Sequence, residues 1–103
     1  MKMTPAQILL QIHLRELGIQ TMPEYRFSKD RRWRLDLYSE HYRLGFEVNG
    51  TWKGLHGPRW STSDLEKVNT AQMMGIRVLT FTNEQVERGE AKKFVAEYVE
   101  EQR

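Results

Sequence analysis

The sequence predicts an α/β (α+β) fold, a small mixed β-sheet flanked by helices in the order α-β-β-β-α-β-α. Three observations predict it. Apolar residues recur near helical spacing after start signals at Thr4-Pro5 and Ser63. Two alternating segments, 33–38 and 42–48, are separated only by Ser39-Glu40-His41, as in a hairpin. A nearly continuous, partly β-branched run, 76–81, follows the second helix directly, as a buried strand does after a crossover.

The elements follow in order. Thr4 offers a capping hydroxyl and Pro5 suits the first helical position, and Ile8, Leu9, Ile12 and Leu17 form the apolar stripe of a first helix ending at Gly18. Glu24-Tyr25-Arg26-Phe27 alternates and gives way to the polar stretch Ser28 to Arg32, a short strand and a turn. Trp33 to Tyr38 and Tyr42 to Val48 are the hairpin. Gly50, Gly54, Gly57 and Pro58 mark residues 49–59 as an irregular loop, and loops of this length commonly carry function. Ser63 with Glu66 resembles a capping box, and Leu65, Val68, Ala71 and Met74 give the second helix a stripe that stops at Gly75. Residues 85–101 read as one or two surface helices with Val86, Phe94, Val95, Tyr98 and Val99 inward.

Size and composition bound the function. The 103 residues make one domain, 1–103, with little room for a separate cofactor-binding domain. No stretch approaches the roughly 20 apolar residues of a membrane span, so a soluble protein without a signal peptide is expected. Zero Cys excludes thiolate catalysis, disulfides and Cys-based zinc sites. The net charge of +2 says little about partners, but its distribution is uneven. Arg26, Lys29, Arg31, Arg32 and Arg34 stand against the single acid Asp30, a phosphate-contacting edge or a solvated turn.

The chemistry-bearing residues lie in the hairpin. Trp33, Leu35 and Leu37 alternate with Arg34, Asp36 and Tyr38, while Leu44, Phe46 and Val48 alternate with Gly45, Glu47 and Asn49. If the apolar sets share the core face, Asp36 and Glu47 share the other. They are then directly opposite or diagonal, within about 8 Å at Cα. Like charges on neighbouring strands repel and invite a cation. A metal ion is one such cation, and two hard carboxylates suit Mg²⁺ or Mn²⁺ better than zinc. An ordinary solvated face, with Arg34 pairing Glu47, is the alternative on the residues alone.

Glu24 before a short strand, Trp33-Arg34-Leu35-Asp36, Glu47-Val48-Asn49-Gly50, a Gly-rich loop with His56, and Asp64-x-x-Lys67-x-Asn69 together resemble the PD-(D/E)XK nucleases. The similarity is greatest to small phage-type domains of the VRR-NUC and very-short-patch-repair kind. It covers about residues 5 to 86, element order included. The resemblance implies a restriction-endonuclease-like core and metal-dependent cleavage of DNA phosphodiesters with Mg²⁺ (or Mn²⁺) as cofactor. It makes Asp36 and Glu47 the metal ligands, Val48 the main-chain carbonyl ligand and Glu24 an additional acid. The third slot departs from the pattern: Asn49 stands where the motif has Lys. Some relatives move that Lys to the following helix, which makes Lys67 the candidate and His56 a residue that orients a water or contacts phosphate.

Trp52, Lys53, Arg59 and Trp60 interleave aromatic and basic groups around the loop, as single-stranded or distorted DNA requires, or pack it locally. Arg32, Arg34, Lys53, Trp52, Arg59 and Asn69 are the candidate DNA contacts. The resulting expectation is an endonuclease of a bacterial cytoplasm, acting on branched or nicked DNA in phage or mobile-element processing. So small a domain would work as a homodimer, without membrane association or a small-molecule cofactor. Because of Asn49, a catalytically silent DNA- or protein-binding module is the rival. A structural or regulatory protein with a salt-bridged face is the third reading.

Overall fold

The computed structural model describes residues 3–49 and 62–102. Its elements are α1 (Pro5–Glu16), β1 (Met22–Arg26), β2 (Arg34–Ser39), β3 (Leu44–Val48), α2 (Thr62–Met73), β4 (Arg77–Phe81), α3 (Asn83–Glu87) and α4 (Glu90–Glu101). This is the expected order, with the last helical segment divided in two. The strands form one sheet in the order β1-β2-β3-β4, antiparallel from β1 to β3, with β4 parallel to β3. No helix among the described residues is long and apolar enough to cross a membrane.

Local chemistry accounts for the ends. The Thr4 side chain accepts the Gln7 N–H while Gln7 accepts the Thr4 N–H, and Thr82 and Gln85 repeat the arrangement at α3. Gly18 and Gly75, at φ of 81° and 84°, turn the chain out of α1 and α2 in the left-handed region that other residues resist. Ser63 does not cap α2, because the helix already includes Thr62.

Two apolar layers enclose the sheet. On one face Leu37, Leu44, Phe46 and Phe81 pack with Leu10 and Leu14 of α1, Val86 of α3 and Ala91, Val95 and Val99 of α4. On the other, Leu35 and Tyr38 meet Phe27, Ala71 of α2 and Ile76, with Tyr25, Trp33 and Val78 at the margin. The face opposite Leu37 is thus covered, and not the solvated salt-bridged face that the residues alone allow as an alternative. Leu35 also leaves the face of Leu37. The β1–β2 ladder pairs Pro23 with Leu37 and Tyr25 with Leu35 but skips Glu24 and Asp36, and Glu24 has a φ of 51°. Past this break Leu35 reaches over β3, and its Cδ1 would lie 2.7 Å from a Cβ at position 45. Any larger residue there would have to displace the buried Leu35 side chain.

The helical stripes also shift. Helix α1 buries Ala6, Gln7, Leu10 and Leu14 and leaves Ile8 and Ile12 exposed. Apolar residues occupy so much of its circumference that two stripes satisfy helical spacing, and packing selects one. On α2 only Ala71 is buried, while Leu65 and Met74 are exposed, because the helix presents Lys67, Val68 and Ala71 toward the sheet. Phe94 is 53 % exposed rather than inward, touching Phe81 edge-on at 6.0 Å between ring centroids.

Candidate active site

The β2–β3 register pairs Leu37 with Phe46 and Tyr38 with Gly45, and one further step sets Asp36 directly opposite Glu47. At that step side chains take over the ladder. The Asp36 N–H donates to Glu47 Oε2 at 3.0 Å, and the Val48 N–H donates to Asp36 Oδ2 at 2.9 Å. Each carboxylate is therefore held between the strands by a peptide N–H of the opposite one. Main-chain donors favour the charged form of a carboxylate, which offsets part of the cost of placing two acids together.

From the covering layer, Lys67 of α2 donates to Glu47 Oε1 and forms an ion pair with it. Glu47 is only 8 % exposed. Burial, then the neighbouring Asp36 charge, pushes its carboxyl up from 4.5 to about 7, against the pull of Lys67 and the Asp36 N–H. Among the described residues one ammonium faces two carboxylates, one positive charge fewer than their full ionisation requires. Glu47 also sits in register with Thr80 of β4, whose signal in the sequence is a hydroxyl between the apolar Leu79 and Phe81.

The structure therefore brings Asp36, Glu47, Val48 and Lys67 together. Arg34 is exposed at the start of β2, and the cation on Glu47 is Lys67 in its place. Glu24 lies at the ladder break beside Asp36, but no three His, Asp or Glu side chains converge among the described residues, so it does not complete a carboxylate trio. Asn49 follows the site, its N–H donating to the Phe81 carbonyl at 2.9 Å. Asn69 is exposed, about 200° around α2 from Lys67, and is not brought to the carboxylates. Arg32 is exposed in the β1–β2 turn. Trp52, Lys53, His56 and Arg59 lie outside the described residues.

The donor set fits a hard divalent cation. It consists of carboxylate oxygens from facing positions of β2 and β3, Asp36 half-buried and Glu47 buried, with burial and then the Asp36 charge holding the Glu47 carboxyl toward its neutral form. A general acid–base pair is the other chemistry these groups permit, since a carboxyl at about 7 exchanges protons near neutrality.

No family model and no curated protein matches the sequence. Among solved structures, the chain is similar to the catalytic domain of the homing endonuclease I-Bth0305I, with a TM-score of 0.68 and 20% sequence identity. The match covers 90% of this chain and 91% of that one. The two share a fold, which in this chain is a four-stranded mixed sheet between helices.

Proposed function

We propose that the protein is a metal-dependent DNA endonuclease with a PD-(D/E)XK-type site. The observation that carries this reading is the pair Asp36 and Glu47, set opposite each other, tied to each other's strands and served by Lys67. A fold optimised for stability alone gains nothing from two acids at this position. The fold shared with a homing endonuclease catalytic domain supports the same reading.

In this mechanism Asp36 and Glu47, with the Val48 carbonyl, are the residues that would hold Mg²⁺ or Mn²⁺, and the chemistry such an ion would supply there is a lowered water pKa and charge neutralisation at the phosphate. Lys67 stands in for the motif Lys missing at Asn49. Its ammonium orients the attacking water or the non-bridging phosphate oxygen as negative charge accumulates there. The main-chain N–H groups of Asp36 and Val48 keep both carboxylates aimed while Lys67 moves between Glu47 and the substrate. His56 contacts phosphate or water, and Arg32, Arg34, Lys53, Trp52 and Arg59 hold the DNA. Glu24, beside the ladder break, acts as an outlying acid.

We further propose a homodimer that cuts branched or nicked DNA in the cytoplasm of a bacterial host during phage or mobile-element processing. Cleavage of supercoiled, nicked, branched and single-stranded DNA with Mg²⁺ or Mn²⁺ is the test. Asp36→Asn and Glu47→Gln are each expected to abolish cleavage and leave circular dichroism unchanged. Wild-type cleavage by either variant at saturating metal would refute the assignment.

A further inference from the structure

The β1–β2 turn repeats, with opposite sign, the feature that marks the carboxylate site. Arg26 and Arg34 are cross-strand partners, which sets their Cβ atoms about 5 Å apart. Both are exposed, and like charges so placed destabilise the pairing. Among the described residues neither forms an ion pair. Residues 50–61 contain no Asp or Glu that could supply one.

The turn they close carries two more outward cations, Lys29 and Arg32. Its fifth, Arg31, is committed elsewhere. Its guanidinium bonds Glu66 of α2 at 3.4 Å and lies over the Trp33 ring at 4.2 Å. Trp33 stacks on Phe27 at 6.3 Å. Arg31 thus ties the turn to the helix that carries Lys67, on the site's side of the sheet. Arg34 precedes Asp36 by two residues on the same strand, about 7 Å along β2.

We infer that residues 26–34 form a wing that binds the phosphate backbone of DNA next to the bond being cut, with Arg26, Lys29, Arg32 and Arg34 as the contacts and Arg31 as the positioning residue. The inference rests on the nuclease reading for the identity of the polyanion. Adjacency to a carboxylate and lysine site favours a nucleic acid over an anionic membrane surface. A row of phosphates also supplies the spaced negative charges that an Arg–Arg pair lacks. Because the contacts are to backbone, the wing adds affinity without sequence preference.

The test is fluorescence anisotropy of the full chain with a labelled DNA duplex in EDTA, where binding is read without cleavage, over a series of KCl concentrations. Neutralising one phosphate contact lowers the slope of log K against log salt by about 0.9. Lys29→Ala and Arg32→Ala are each expected to do so, with a several-fold rise in Kd. Arg26→Ala/Arg34→Ala is expected to lower the slope by nearly twice that amount without lowering the thermal midpoint of the free protein, since it removes a repulsion. Arg31→Ala leaves the slope almost unchanged. Wild-type slopes for the outward variants, or a loss in Arg31→Ala matching theirs, would overturn the wing. So would capture by phosphatidylserine vesicles that is sensitive to these substitutions while DNA binding is not. Altered DNA binding in a protein that cleaves nothing upholds the wing and removes the nuclease reading; cleavage with unaltered binding removes the wing alone.

Discussion

Glu47→Gln offers a stability measurement that reads the electrostatics of the site without any turnover. In the unfolded chain Glu47 titrates near its ordinary 4.5, whereas in the fold burial and Asp36 raise it to about 7. The folded state therefore binds the proton more tightly. Its contribution to stability is fully present below pH 4.5 and is lost as the pH rises through 7. At about 1.4 kcal/mol per tenfold change in proton affinity, the loss is on the order of 3 kcal/mol. Glutamine keeps the shape and can still accept the Asp36 N–H, but it has no charge to bury. The assay is urea denaturation of both proteins from acid to mildly alkaline pH in EDTA. The difference in unfolding free energy, wild type minus variant, is expected to fall by about 3 kcal/mol across that window. Saturating Mg²⁺ is expected to abolish most of the fall. Parallel curves would refute the reasoning, and a wild type that gains on the variant with rising pH would show that the Lys67 pairing outweighs burial.

Three other outcomes are expected. Mg²⁺, Mn²⁺ and Ca²⁺ raise the melting temperature of the wild type by binding the folded state only, and Asp36→Asn abolishes the rise in thermal scans. An unchanged midpoint across millimolar metal would favour a salt-bridged surface. Lys67→Ala lowers the single-turnover cleavage rate roughly 100-fold or more while metal-dependent stabilisation persists, and Asn49→Ala is milder; the reverse order would show that the lysine has not migrated. Gly45→Ala forces the buried Leu35 from its place and costs about 1–3 kcal/mol in denaturant titration, whereas overpacking there without cost would contradict the path of β2.

Much of this protein was legible in its residues because local rules and tertiary packing agree. Alternation in residues 33–48 and the nearly continuous apolar run before Thr82 specify strands whatever surrounds them, and Thr4-Pro5 and the glycines at 18 and 75 mark helix ends through backbone chemistry alone. The opposed carboxylates follow from the same alternation, since matched faces permit few registers. Placing Lys67 on Glu47 took more than spacing; it needed α2 laid across the sheet, and the lysine was picked out in the sequence by resemblance to nucleases. Other features depend on that packing entirely. The stripe buried on α1, the exposure of Phe94, and the passage of Leu35 over Gly45 are decided by which neighbour occupies the space, and periodicity cannot choose between two faces that are both apolar. The pairing of Arg26 with Arg34 depends on the register of the β1–β2 ladder, and the tie from Arg31 to Glu66 joins segments 35 residues apart, so no local pattern announces either. The raised proton affinity of Glu47 belongs to the same class, because burial and the field of Asp36 exist only once the sheet and α2 have closed around it.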